Sequence, residues 1–163
     1  MTTILGIPLQ ALLGQVLIGL INGSFYALLS LGLAIIFGLL HIINFAHGAL
    51  YMLGAFAAWL LLNYLGVNYW GALILAPFIV GVLAVVMEQY MLRRIYKLDH
   101  IYGLLLTFGT ALLIEGIVRN QHGVSGLAYP IPPQLQGVQD LGFVFLPSYR
   151  AWVLVASLVI CIA

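Results

Sequence analysis

Charge is what this sequence has least of. Only 6% of its 163 residues are Asp, Glu, Lys or Arg, and none of these occurs between Met1 and Met87. A soluble domain draws on about a quarter charged residues to build its surface, so most of this chain has no means of facing water. The five basic and four acidic residues give a net charge of +1, which excludes the strong field that nucleic acid or an acidic partner would require. Cys161 is the only cysteine, so no intrachain disulfide, cysteine metal cluster or dithiol redox motif can form. Proline is scarce as well, and four of the six lie between Pro130 and Pro147. No G-x-S-x-G, G-x-x-x-x-G-K-[ST] or H-E-x-x-H pattern is present, and no apolar segment holds a pair of carboxylates. Those gaps argue against an enzyme and against an ATP site on this chain, and they leave no cofactor or metal to expect. The opening Met1-Thr2-Thr3 has no Lys or Arg to head a secretory signal, so the apolar run behind it reads as a retained membrane segment.

Apolar side chains are what the sequence does have. They make up 64% of it, and the mean hydropathy is +1.18. The fold class expected is all-α and membrane-embedded, a polytopic bundle forming a single transmembrane domain over residues 1–163. Crossing about 30 Å of hydrocarbon takes roughly 20 helical residues. In the charge-free run the breaks have to come from polar and small residues: Asn22-Gly23-Ser24, His41 to Gly48, and Asn63 to Gly71. They delimit Leu9–Ile21, Phe25–Leu40, Ala49–Leu62 and Ala72–Tyr90. The first two pieces are short, and form either one long tilted helix or two elements hinged at Asn22-Gly23-Ser24.

Three of the five basic residues fall in the next connection, residues 93–100, which the positive-inside rule assigns to the cytoplasm. Another apolar run follows, Ile101 to Val118. Residues 119–150 contain too many glycines and prolines for a membrane helix, and form an extramembrane, periplasmic loop. Within it Phe143-Val144-Phe145-Leu146 is a short strand or a stretch lying on the membrane surface, and Tyr149 and Trp152 suit an interfacial aromatic belt. The last run, Ala151 to Ala163, reaches only about 20 Å at about 1.5 Å per residue. The expectation is five or six hydrophobic segments with the last incomplete, in the N-terminal part of a longer protein or a truncated product.

Small residues four apart let helices approach closely in a membrane. Gly103, Thr107 and Ala111 form one such stripe and Gly19, Gly23 and Ala27 another, both expected to pack helices. Glu115 and Arg119 are placed to pair on one helix face near its end, and Glu88 has Arg93 and Arg94 close by. The most polar break, His41 to Gly48, either closes a tight turn or lines a translocation pathway. Its two histidines are six apart with no carboxylate nearby, a poor basis for a metal site.

Three runs carry a resemblance to a known family: Asn22-Gly23-Ser24-Phe25-Tyr26-Ala27-Leu28, Gly32-Leu33-Ala34-Ile35-Ile36-Phe37-Gly38, and Ile43-Asn44-Phe45-Ala46-His47-Gly48-Ala49-Leu50-Tyr51-Met52-Leu53-Gly54-Ala55. With Glu88 to Lys97 and Leu104-Leu105-Leu106-Thr107-Phe108-Gly109, they resemble the branched-chain amino acid permeases of bacterial ABC importers, LivH type. The resemblance implies a permease subunit in the bacterial inner membrane, working by alternating access on leucine, isoleucine and valine. Its partners would be a second permease subunit, two cytoplasmic ATP-binding subunits and a periplasmic substrate-binding protein. On that basis Asn44, His47 and Tyr51 are the translocation-path candidates. Such permeases are nearly twice as long, with the coupling helix that docks on the ATPase lying beyond Ala163. Related permeases for urea and short amides are the alternative substrate class. A passive channel, an intramembrane enzyme and an assembly subunit are the alternative functions.

Overall fold

The computed structural model describes residues 3–4, 7–40, 44–95, 97–140 and 145–162. Four helices in this part of the chain are long and apolar enough to cross a membrane: Leu9–Leu39, His47–Leu65, Tyr69–Ile95 and His100–His122. The chain is a multi-pass helical membrane protein.

A two-residue strand β1 (Thr3–Ile4) pairs antiparallel with β2 (Ile7–Pro8), and helix α1 (Leu9–Leu40) follows at once. The choice between one helix and two hinged pieces resolves as one helix of 32 residues running straight through Asn22-Gly23-Ser24. Surrendering backbone hydrogen bonds is costly in apolar surroundings, and Ser24 supplies no reason to do so. Its hydroxyl donates to Ile21 O at 2.7 Å, back along the same helix. At about 1.5 Å per residue α1 is about 48 Å long, more than one bilayer crossing needs.

Helix α2 (His47–Leu65) and helix α3 (Tyr69–Met87) form an antiparallel hairpin. Its core is Ala57, Leu61, Ala72 and Ala76, with Ala58 and Val67 packed against it. Ala57 and Ala76, like Leu61 and Ala72, lie equally far from the corner at Gly66-Val67, so each turn of one helix meets a small residue on the other. That allows close approach, with Leu61 of α2 set against the alanines of α3. Pro77 sits inside α3, which continues past it.

Beyond Met87 the helix widens into one π turn, Glu88–Leu92, then resumes briefly as α4 (Arg93–Ile95). The extra residue turns Leu92 inward, where it is buried, and leaves Arg93 and Arg94 exposed. Helix α5 (His100–His122) starts on an Asp99 cap whose Oδ1 accepts from Ile101 N at 3.1 Å. It ends at Gly123, whose φ of 75° breaks the helical path. The segment from Arg119 therefore begins with one more helical turn before the glycine- and proline-rich stretch.

In that stretch a short 3₁₀ turn, Pro133–Leu135, precedes an antiparallel hairpin of β3 (Val138–Asp140) and β4 (Phe145–Pro147). Phe145 and Leu146 are thus strand residues, while Phe143 and Val144 lie outside the described residues. Helix α6 (Ser148–Ile162) has 15 residues, about 22 Å, short of a full crossing. The two provisional N-terminal segments being one helix, five apolar helices account for the described chain. The chain divides into two compact units, Leu33–Pro130 and the combination of Met1–Gly32 with Ile131–Ala163.

Candidate functional site

The polar break before α2 is a corner held by the Asn44 side chain and by Thr107 of α5. A helix start leaves backbone N–H groups without intrahelical acceptors, and here the chain answers them one at a time. Asn44 Oδ1 accepts from Ala46 N at 2.9 Å, an Asx-type closure, and Asn44 O accepts from His47 N at 3.2 Å. Phe45 N donates to Thr107 Oγ1 at 3.2 Å, across 62 residues of sequence. Leu50 N then bonds Ala46 O at 2.9 Å and α2 is under way. Asn44 is 8% exposed, Ala46 0% and Thr107 1%, so all three are shut away from solvent. The rings of Phe45 and Phe108 meet edge to face at 6.3 Å beside this junction. His41, Ile42 and Ile43 lie outside the described residues.

The three path candidates therefore occupy different settings. The Asn44 side chain is buried and holds the turn. His47 is half-buried at the first position of α2. Tyr51, one turn on, is 53% exposed. Gly48, Tyr51 and Ala55 share one open side of α2, with His47 at its edge, opposite the Ala57 and Leu61 positions that pack on α3. This side carries the Tyr51 phenol on an otherwise small and apolar surface, and the half-buried His47 at its edge is engaged by other groups.

The packing candidates also separate. On α5, Thr107 is buried, and Gly103 and Ala111 are half-buried one turn to either side. On α1, Gly19, Gly23 and Ala27 are exposed, and a Cβ added at Gly19 or Gly23 would meet nothing within 4 Å. Among the described residues of α1 the buried positions are Gly14, Ile21 and Ser24, a set spaced seven and three apart that sequence reasoning missed. Because α1 is apolar all round, no polar face marks the buried side by contrast.

A second cluster was also missed. His122, at the end of α5, stands edge-on to Phe56 at 4.6 Å and to Trp59 at 5.6 Å, joining α2 to α5. Close in sequence to the corner at Gly66-Val67, Tyr69 meets Trp70 and Tyr129. Burial, then the neighbouring Tyr69, pushes the Tyr129 phenol above its ordinary pKa. Aromatic side chains with polar tips collect where apolar and aqueous phases meet. Arg119 Nη2 and Glu115 Oε1 pair at 2.6 Å on the exposed surface of α5. Glu88 is half-buried in the π turn and is engaged by other groups. Among the described residues, no group of three His, Cys, Asp or Glu is placed to hold a metal ion.

Comparison with known proteins bears on the family. The family model described as "Branched-chain amino acid transport system / permease component" matches residues 15–163. The high-affinity branched-chain amino acid transport system permease protein LivH of Escherichia coli K12 is 27% identical over 127 residues, covering 72% of this chain and 41% of that protein. LivH of Salmonella typhimurium is 26% identical over 126 residues, with the same coverage of 72% and 41%. The permease protein BraD of Pseudomonas aeruginosa is 34% identical over 86 residues, 51% of this chain and 28% of its own length. The chain thus spans about two fifths of the length of the LivH relatives. No solved structure gives a significant match.

Proposed function

We propose, from the premise that this chain belongs to the family of branched-chain amino acid transport system permease components, that it forms part of the membrane pathway of a binding-protein-dependent ABC importer. The solutes are leucine, isoleucine and valine, the class that the printed names of LivH and BraD carry. The chain is a transport subunit rather than an enzyme, and ATP hydrolysis belongs to two separate cytoplasmic subunits. A second permease subunit and a periplasmic substrate-binding protein complete the assembly in the bacterial inner membrane. Arg93, Arg94 and Lys97 lie on the cytoplasmic side, following the positive-inside bias, and residues 119–150 on the periplasmic side. Gly19, Gly23 and Ala27 offer a smooth face to a further helix of the assembly.

The observation that carries this reading is the corner at Asn44 to Gly48. It separates two apolar helices with a turn whose Asn44 and Ala46 are buried and whose amides bond Asn44 and Thr107, and behind it Tyr51 stands on the side of α2 away from the α2–α3 core, with His47 at the edge of that side. An apolar amino acid needs partners for its ammonium and carboxylate while its side chain passes an apolar wall. His47 and Tyr51 supply such partners, and Asn44 fixes where they stand. ATP binding on the partner subunits drives alternating access only through a difference in affinity between the outward-facing and inward-facing states.

The test is uptake of radiolabelled leucine by the complete importer, with His47→Ala and Tyr51→Ala in the permease. Each variant is expected to lower uptake at least tenfold at limiting substrate. Unchanged uptake in the double variant would remove this face from the pathway. Uptake of urea or acetamide in place of leucine would move the protein to the amide-permease class, and solute equilibration without ATP would make it a passive channel.

A further inference from the structure

Of the amides at the start of α2, one depends on a residue far away in the chain. Ala46 N and His47 N are satisfied by Asn44 itself, at 2.9 and 3.2 Å. Phe45 N has Thr107 Oγ1 at 3.2 Å. The Thr107 hydroxyl has a single proton, which it gives to Gly103 O at 2.9 Å or Leu104 O at 3.1 Å. Its lone pairs are therefore free to accept, and with the proton committed to its own helix the oxygen is held at a fixed point. At 1% exposure no water competes for it. The half-buried Gly103 and Ala111 flank it on the same side of α5. Among β-branched residues of this size only threonine carries an acceptor. Valine would fill the same space and take the Thr107 acceptor away from the part-buried Phe45 amide.

We infer that Thr107 is a positioning residue for transport: its hydroxyl pins the corner to α5 and so sets the direction in which α2 presents His47 and Tyr51 to the solute. This rests on the reading of that side of α2 as pathway wall. It adds a role for a side chain that touches no solute, and it makes α5 and the start of α2 move together.

The experiment compares Thr107→Val with Thr107→Ser in the complete permease assembled with its partner subunits in nanodiscs. Two readouts are taken: hydrogen exchange of the peptide containing Phe45, and the KM and kcat of leucine transport. Removing the acceptor of this part-buried donor is expected to speed exchange at Phe45 by at least about fivefold in Thr107→Val. KM for leucine is expected to rise at least fivefold in the same variant, while Thr107→Ser stays within about twofold of the parent in both readouts. If Thr107→Val does not assemble, Thr107→Ala deletes the hydroxyl without adding a group and takes its place. Parent-like protection at Phe45 in the valine or alanine variant overturns the inference. So does faster exchange with unchanged transport, which would leave the bond a purely local fastening. A failure of the pathway reading is seen separately, as unchanged uptake in His47→Ala and Tyr51→Ala.

Discussion

Helix α2 has a corner at each end, and the two are built in opposite ways. At its C-terminal end everything comes from within a few residues. Gly66 takes the left-handed conformation at φ 64°, Gly66 N bonds Leu62 O at 3.1 Å, Val67 N bonds Leu61 O at 3.0 Å, and Asn68 Oδ1 accepts from Gly71 N at 2.9 Å. Gly66 and Asn68 are exposed. At the N-terminal end Asn44 and Ala46 are buried, and one amide of the corner, that of Phe45, depends on Thr107, 62 residues away. The first corner is complete as soon as α2 and α3 form. The second is complete only when α5 is in place. A joint of the first kind is a fixed fold. One of the second kind ties the start of α2 to α5 through a single hydrogen bond.

The largest effect that this contrast predicts is at Asn44. Asn44→Ala leaves the fully buried Ala46 N–H without its acceptor, which costs about 1–3 kcal/mol for the unpaired donor. Denaturant titration of the purified protein in detergent should place it near the upper end of that range. If Asn44→Ala proves no more costly than Asn68→Ala, burial does not distinguish the corners and the comparison breaks. Next comes Gly66→Ala. Nothing lies within 4 Å of a Cβ built there, so the whole penalty is backbone, about 1–2 kcal/mol for an L-residue in the left-handed region. Gly66→Asn should recover part of that loss, since asparagine tolerates this conformation. Equal losses for alanine and asparagine would mean that φ is not what the corner requires.

These residues also show how much could be read in advance. Asn63 to Gly71 stood out as a break because its signals are local: a glycine to end one helix and an asparagine to cap the next act on their own neighbours. His41 to Gly48 stood out for the same reason, and a tight turn was one of its two expected readings. The bond from Phe45 to Thr107 could not be read, because it depends on which side of α5 meets α2. No polar alternation fixes that in helices apolar on every side. The small-residue spacing did single out Thr107, through packing rather than through its hydroxyl. In α1 the same spacing singled out Gly19, Gly23 and Ala27, which this chain leaves exposed, while Gly14, Ile21 and Ser24 are the buried positions. Asn22-Gly23-Ser24 shows the converse: residues that break helices in water are carried through where the backbone has no water to turn to.

The smallest expected effect is at Asn68, and it sharpens the contrast most. Asn68→Ala removes the side-chain acceptor for Gly71 N, but the residue is exposed, and water or a headgroup can replace it at the surface. The loss should be about 0.5–1 kcal/mol, the lower part of the range for a helix N-cap. Gly71 gives an independent check on the same cap. A Cβ there would stand 2.7 Å from Val67 Cγ1 and 3.2 Å from Asn68 Oδ1, so Gly71→Ala has to move both the cap and a side chain packed on the α2–α3 core. If the cap matters only through its hydrogen bond, Gly71→Ala on an Asn68→Ala background should still cost what Val67 loses in packing. If instead the double variant is no worse than Asn68→Ala alone, Val67 adjusts freely and the corner is held by Gly66 and its backbone bonds. Either result leaves uptake unaffected on this argument, because no residue of this corner depends on α5; a transport defect in Asn68→Ala would show that both ends of α2 are coupled to the moving parts.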